Sequence, residues 1–222
     1  MSAAPIRAVI FDIGRVLVRV DVEQAMRGLA KRIPLSPAEI WSAIEKDPRW
    51  QDWQEGRIRP HDWHLHLTKR LGGNLTFEQF RDAWNRALDP KPLQPDTLFL
   101  QLKKKVRLGL LSNTDPLHVA HLEQTYSFFQ HVPAGSRTYS CAVGASKPNP
   151  IIFSHALKAV RANAAETVFI DDIEAYVEAA RQLGMAGIRY HSPQQLAAEL
   201  RTLEVLPGAW PDEEGRENFT SA

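Results

Sequence analysis

The stretch Ala8-Val9-Ile10-Phe11-Asp12-Ile13-Gly14 constrains this chain more than any other. Its run of strand-forming apolar residues predicts a buried strand of a parallel sheet, because such strands are covered on both faces and do not alternate. The strand ends on a carboxylate, Asp12, and in open α/β sheets ligands bind at that edge. Gly14 then frees the backbone to turn. A carboxylate in this setting suits a nucleophile or a metal ligand, and a strand-terminal Asp capping the next turn is the plainer alternative.

The rest of the chain predicts an α/β fold with a helical insertion. After the opening strand, Val22, Ala25, Met26, Leu29, Ala30 and Ile33 make one apolar helix face beginning just past Asp21. Ser36-Pro37-Ala38-Glu39 and Thr76-Phe77-Glu78-Gln79 read as capping boxes opening two further helices, and residues 20–92 carry no strand signal, so they are expected to form an all-helical block. Five of the six tryptophans (Trp41, Trp50, Trp53, Trp63 and Trp84) fall in it, either as the core of a small subdomain or as an aromatic wall toward substrate. From Pro95 helix and strand alternate. Strands are expected at Val106–Leu111, Tyr139–Val143, Val168–Ile170 and Ala186–Tyr190, with a last helix from Ser192 to about Leu203 and a fraying tail over 207–222. The domain expectation is a Rossmann-like doubly wound core of 1–19 and 93–206 carrying the 20–92 insertion.

Composition narrows the partners. The 222 residues hold 27 Lys and Arg against 26 Asp and Glu, with no long block of one sign, which argues against nucleic acid or an anionic membrane surface. No apolar run reaches the roughly 20 residues of a membrane span and no signal-peptide h-region is seen, so a cytoplasmic protein, with nothing demanding more than a monomer, is expected. The single cysteine, Cys141, is expected to pack in a strand rather than to catalyse.

Three predicted strands end in polar residues that can reach a common point: Asp12, then Ser112-Asn113-Thr114, then Asp171-Asp172. Lys147 adds a cation in the loop ahead of the helix that Pro150 starts. Alone, each has a plain role as a helix cap, an exposed cation or an acidic pair at a helix N-terminus. Together they gather carboxylates whose repulsion calls for a divalent cation, and hard oxygen ligands point to magnesium.

Phe11-Asp12-Ile13-Gly14, Leu111-Ser112-Asn113-Thr114, Lys147-Pro148 and Phe169-Ile170-Asp171-Asp172, in this order over nearly all of residues 6–190, resemble the motifs of the haloacid dehalogenase superfamily of aspartate-nucleophile hydrolases. The helical block is similar to the family's cap, and Ser-Asn-Thr with a following His118 resembles the branch containing small sugar-phosphate phosphatases. The resemblance implies that Asp12 attacks phosphorus and forms an aspartyl-phosphate, with Mg²⁺ held by Asp12, the Gly14 carbonyl, Asp171 and Asp172. It also implies that Ser112 and the Asn113 amide hold a phosphoryl oxygen and that Lys147 pairs with Asp12 and the phosphate.

One departure stands out. Most phosphatases of the superfamily carry a second aspartate two residues after the nucleophile as general acid and base, and here that position is Gly14. Asp21 and His118 are the candidate substitutes, and Tyr176 stands where asparagine is frequent. The expected function is a magnesium-dependent phosphatase of a small phosphorylated metabolite, a sugar phosphate among the candidates. The alternatives are a non-catalytic phosphate-binding or regulatory protein and a 2-haloacid dehalogenase-type hydrolase, against which the Asp171-Asp172 pair argues.

Overall fold

The computed structural model describes residues 4–207. Strand β1 (Ala8–Phe11) is followed by β2 (Val18–Val20), five helices α1 (Val22–Leu29), α2 (Pro37–Glu45), α3 (Trp50–Gln54), α4 (Pro60–Arg70) and α5 (Phe77–Asn85), and strand β3 (Leu88–Pro92). Helix and strand then alternate as α6 (Asp96–Leu102), β4 (Arg107–Ser112), α7 (Pro116–Thr125), β5 (Arg137–Tyr139), α8 (Ser140–Val143), α9 (Pro150–Val160), β6 (Thr167–Asp171), α10 (Glu174–Gln182), β7 (Ala186–Arg189) and α11 (Pro193–Thr202). Among the described residues no helix is long and apolar enough to cross a membrane.

The main sheet has the order β5-β4-β1-β6-β7 with every pair parallel. Residue parity sorts its side chains. Val9, Phe11, Leu110 and Ile170 pack with Phe99 of α6 and Leu196 of α11, whereas Ala8, Ile10 and Phe169 pack with Phe153 of α9 and Ala180 of α10. Both faces are therefore covered by helices, which is the doubly wound, Rossmann-like arrangement. The chain runs outward from β1 through β4 to β5 and then returns to β6 on the other side of β1. Such reversals open a crevice at the C-terminal edge of the strands, and at this one β1 leads into Asp12 and β6 ends in Asp171.

Helices α1–α5 build a separate apolar cluster. Ser36 and Glu39, and likewise Thr76 and Gln79, exchange the side-chain-to-backbone bonds of capping boxes, and Pro37 and Pro60 occupy the first turn where a missing N–H costs nothing. Trp53 and Trp63 are fully buried and stack at 5.6 Å. Burying side chains of this size stabilises by roughly 1.5–3 kcal/mol each, which lets so small a unit hold a core.

Two expectations need correction. The 20–92 block is helical only as far as Asn85, because Leu88–Pro92 forms β3, an antiparallel partner of β2. Pro90 and Pro92 hid this strand, since proline cannot donate to a ladder and is tolerated only on an edge such as this two-stranded ribbon. The expected strand over Tyr139–Val143 ends at Tyr139 instead, and Ser140–Val143 is the single helical turn α8, closed by Gly144 at φ 77°. Cys141 therefore lies on a helix, and burial pushes its thiol up to about 11. The expected fraying tail, apart from Pro207, lies outside the described residues.

Candidate active site

Four elements converge at the crevice. The Asp12 N–H donates to the Ile170 carbonyl at 2.8 Å, so the end of β1 is fixed to β6 before any side chain is considered. β4 brings Ser112 to the same edge, β6 brings Asp171, and the loop before α9 brings Lys147. The Lys147 ammonium bridges Asp12 Oδ1 and Asp171 Oδ2, at 2.6 Å to each, and all three residues are buried. Asn113 holds this arrangement in place. Its side-chain amide donates to the Lys147 carbonyl at 3.0 Å and accepts the Lys147 N–H at 2.7 Å, which leaves its own backbone N–H as the donor it can offer to a phosphate.

The carboxylates are too close for comfort without a cation. Oxygens of Asp12, Asp171 and Asp172 all lie within 4.8 Å of one another, and Lys147 is the one ammonium among three carboxylates. Burial first, and then repulsion from Asp171 against the pull of Lys147, leaves Asp12 raised to about 7. Asp172 is raised too, by burial and by Asp171. Burial works against a charged Lys147, but Asp12 and Asp171 outweigh it and its pKa is raised. A cluster of carboxylate oxygens is the donor set that Mg²⁺ takes, so the residues present fit the ion that the sequence motifs imply.

Gly14 lines the same cleft. A Cβ built on it would sit 3.5 Å from Val20 Cγ2 and 3.9 Å from Asp12 Oδ2, ordinary contact distances, and its φ is not left-handed. Neither backbone nor packing therefore demands a glycine there. Of the two candidate substitutes for the absent aspartate, Asp21 is exposed and caps α1, accepting the Gln24 N–H at 3.0 Å, and it does not line the cleft. His118 lies deeper. Its Nδ1 is 3.0 Å from Asp115 Oδ2 and its Nε2 3.2 Å from the Trp84 carbonyl, two acceptors that both call for an N–H. Burial works to raise the Asp115 pKa and to lower that of His118, and their attraction outweighs it in both, so Asp115 is lowered and His118 raised.

Other residues join the cleft, two of which, Arg15 and Gln54, the sequence did not single out. Tyr176 packs against the apolar cluster of Ile10, Phe153 and Phe169 and also reaches the site, its ring centroid 5.1 Å from Lys147 Nζ and its hydroxyl 3.4 Å from Asn113 Nδ2. Arg15, at φ 59°, sits in a tight turn with its guanidinium 4.0 Å from Asp172. Trp41, Trp50 and Gln54 reach the cleft from α2 and α3. No motif along the chain marks Arg15 or Gln54, since each is placed by tertiary contact.

Adjoining the cleft is a second cavity of about 180 Å³ between the helical insertion and the sheet edge. Gly14, Val20, Trp41, Trp50, Gln54, Ser112 and Asn113 border both spaces. The tryptophan cluster thus divides: Trp53 and Trp63 are core, and Trp41, Trp50 and Trp84 wall the inner cavity.

Comparison with known proteins agrees with this geometry. The chain is 26% identical over 186 residues to D-ribitol-5-phosphate phosphatase of Bacteroides thetaiotaomicron, covering 81% of this chain and 89% of that protein. It is 25% identical over 211 residues to the sesquiterpene phosphatase astK of Aspergillus oryzae, covering 89% and 96%. A crystal structure of a HAD family enzyme from B. thetaiotaomicron, in complex with magnesium and inorganic phosphate, superposes with a TM-score of 0.72 at 25% identity over 85% of this chain and 96% of that one. The model of the haloacid dehalogenase-like hydrolases matches residues 6–184, and this chain belongs to that family.

Proposed function

We propose that the protein is a magnesium-dependent phosphatase that hydrolyses a small phosphorylated metabolite through an aspartyl-phosphate on Asp12. The observation that carries this reading is the Lys147 ammonium held at 2.6 Å from both Asp12 and Asp171, beside the Asp172 carboxylate, at the end of β1. Asp12, Asp171, Asp172 and the Gly14 carbonyl would hold Mg²⁺. The ion would neutralise the charge of nucleophile and phosphate and stabilise the transferring oxygens.

The protein's own groups then have distinct tasks. An Asp12 oxygen attacks phosphorus as the ester oxygen leaves with its electron pair and takes up a proton. Lys147 fixes Asp12 in position and offers a point charge to the phosphate, while the Ser112 hydroxyl and the Asn113 backbone N–H bind phosphoryl oxygens. Water, giving up a proton, then attacks the phosphorus of the aspartyl-phosphate, releasing phosphate and restoring the carboxylate. Residues 20–92 serve as a cap. Supporting this, the Ser140 hydroxyl of α8 donates to the Gln54 carbonyl of α3 at 2.7 Å, and Gly56, at φ 71°, lets the insertion approach so closely that a Cβ would lie 2.0 Å from the Cys141 carbonyl oxygen.

The phosphatase names of the two relatives support the reaction class, and the polar and apolar substrates in those names leave this chain's own substrate open. The test is phosphate release from a panel of metabolite phosphates with Mg²⁺ and with chelator, on wild type and on Asp12→Asn. We expect metal-dependent release that falls at least about 10³-fold in the variant. Phosphate binding without release would instead support the non-catalytic reading.

A further inference from the structure

We propose that the substrate's leaving group is an apolar hydrocarbon, an aryl ring or a short branched chain, seated in the inner cavity, so that apolar organic monophosphates are taken in preference to polyol phosphates. This deepens the phosphatase reading and rests on it for the position of the phosphate.

The cavity wall is mostly carbon. Val22 and Met26 of α1, Trp41 of α2, Trp50 of α3, Trp84 of α5 and Leu122 of α7 supply it. Three of these rings form a chain, Trp41 edge-on to Trp50 at 5.8 Å and Trp50 to Trp84 at 6.2 Å, and His118 stacks on Trp84 beyond it at 5.7 Å. The volume, about 180 Å³, is similar to the cavity of about 150 Å³ that suffices to hold benzene.

The ionisable groups on the wall are turned to one another. Asp115 Oδ1 accepts the N–H groups of Leu117 and His118, and Oδ2 accepts Trp84 Nε1 at 3.0 Å beside His118 Nδ1. His118 spends its other nitrogen on the Trp84 carbonyl. Of the four other polar side chains on the wall, Gln54, Ser112 and Asn113 also border the phosphate cleft, and Thr114 is the fourth. A polyol would have to give up water around several hydroxyls and find few partners deeper in, whereas a hydrocarbon loses nothing by leaving water and covers aromatic faces.

The border between the two spaces gives the glycine a reason. Gly14 and Val20 border both, and a side chain on Gly14 would point between Val20 and Asp12, where the substituent on the ester oxygen has to pass.

The experiment compares two primary alkyl esters, 3-methylbutyl phosphate and D-ribitol 5-phosphate, whose alkoxide is if anything the better leaving group, on the full chain with Mg²⁺. kcat/KM on wild type is measured alongside calorimetric binding to Asp12→Asn. We expect the hydrocarbon ester to lead by at least about tenfold in both, as burial of several methylene groups requires. Met26→Gln, which places an amide on the wall, should narrow that lead at least about threefold. Should that variant fail to fold, the wild-type pair still decides. Equal or better turnover of the polyol ester would overturn the proposal and leave the phosphatase reading standing. Preferential binding of the hydrocarbon ester with no release of phosphate would sink the phosphatase reading and support the assignment of the cavity, and binding of neither ester would overturn it.

Discussion

The two spaces that meet at Gly14 are built on opposite principles. On the sheet side, charges are crowded and each is fixed by another: Lys147 between Asp12 and Asp171, Asn113 on the Lys147 backbone, Arg15 beside Asp172. On the insertion side the wall is aromatic and aliphatic, and its one ionisable pair, Asp115 and His118, is neutralised within itself. The difference separates two tasks. On the proposed reading, charge that must be ready for a reaction sits on strand ends held by a parallel ladder, where little reorganisation is possible, and the surface that would select a substrate is carried by short helices attached through a two-stranded ribbon.

The largest test of this division is Lys147→Met. Removing the ammonium leaves buried carboxylates uncompensated, so metal-free protein should lose about 3–5 kcal/mol in chemical denaturation and activity should fall about 10²- to 10³-fold. Added Mg²⁺ should raise the melting temperature of the variant more than that of wild type. If the variant melts like wild type in chelator, the charges on the sheet side are not coupled as the geometry says.

A smaller effect probes the border itself. Gly14→Asp introduces a Cβ at ordinary contact distance, so the chain should accept it. The new carboxyl supplies an acid next to the ester oxygen and should speed alkyl phosphates relative to aryl phosphates by up to about 10²-fold, while hindering substituents that enter the inner cavity. Rates for phenyl phosphate and a small alkyl phosphate on both proteins measure it. A wild type indifferent to the leaving group would mean that some other residue, His118 first, already donates the proton.

The smallest effect belongs to the wall. His118→Gln breaks the pair with Asp115, for an expected loss of about 1–2 kcal/mol. The sign follows from linkage. A histidine whose folded pKa is raised contributes stability that is full below its unfolded value, near 6.5, and is lost as pH rises through the higher folded value. Wild type and variant should therefore differ more at about pH 6 than at about pH 9 in urea denaturation. An equal gap at both would show that the ring contributes by packing on Trp84 alone.

The sheet side was legible in the sequence because its information is local. Asp12, Ser112 and Asp171 each follow an apolar strand run, and Lys147 stands just before a proline-started helix, so the motif and the placement come together. The insertion was legible only as helices. Periodicity and capping boxes located them, but nothing along the chain told Trp53, which stacks in a core, from Trp50 three residues earlier, which faces the cavity. Tyr176 and Asp115 likewise take their places from contacts with residues more than thirty positions away, Asn113 and Trp84 respectively. β3 escaped notice because its prolines suppress the usual strand pattern.

The proposed reaction passes through a covalent bond between an Asp12 carboxylate oxygen and phosphorus, and that bond can be trapped. Wild-type protein mixed with a turned-over phosphate ester and Mg²⁺, quenched in acid within a single turnover and digested for mass spectrometry, should carry a phosphoryl group on the peptide containing Asp12. The same adduct should be missing with chelator and in Asp12→Asn. Turnover with no adduct at any time within the first cycle, or an adduct on a residue other than Asp12, would contradict the account.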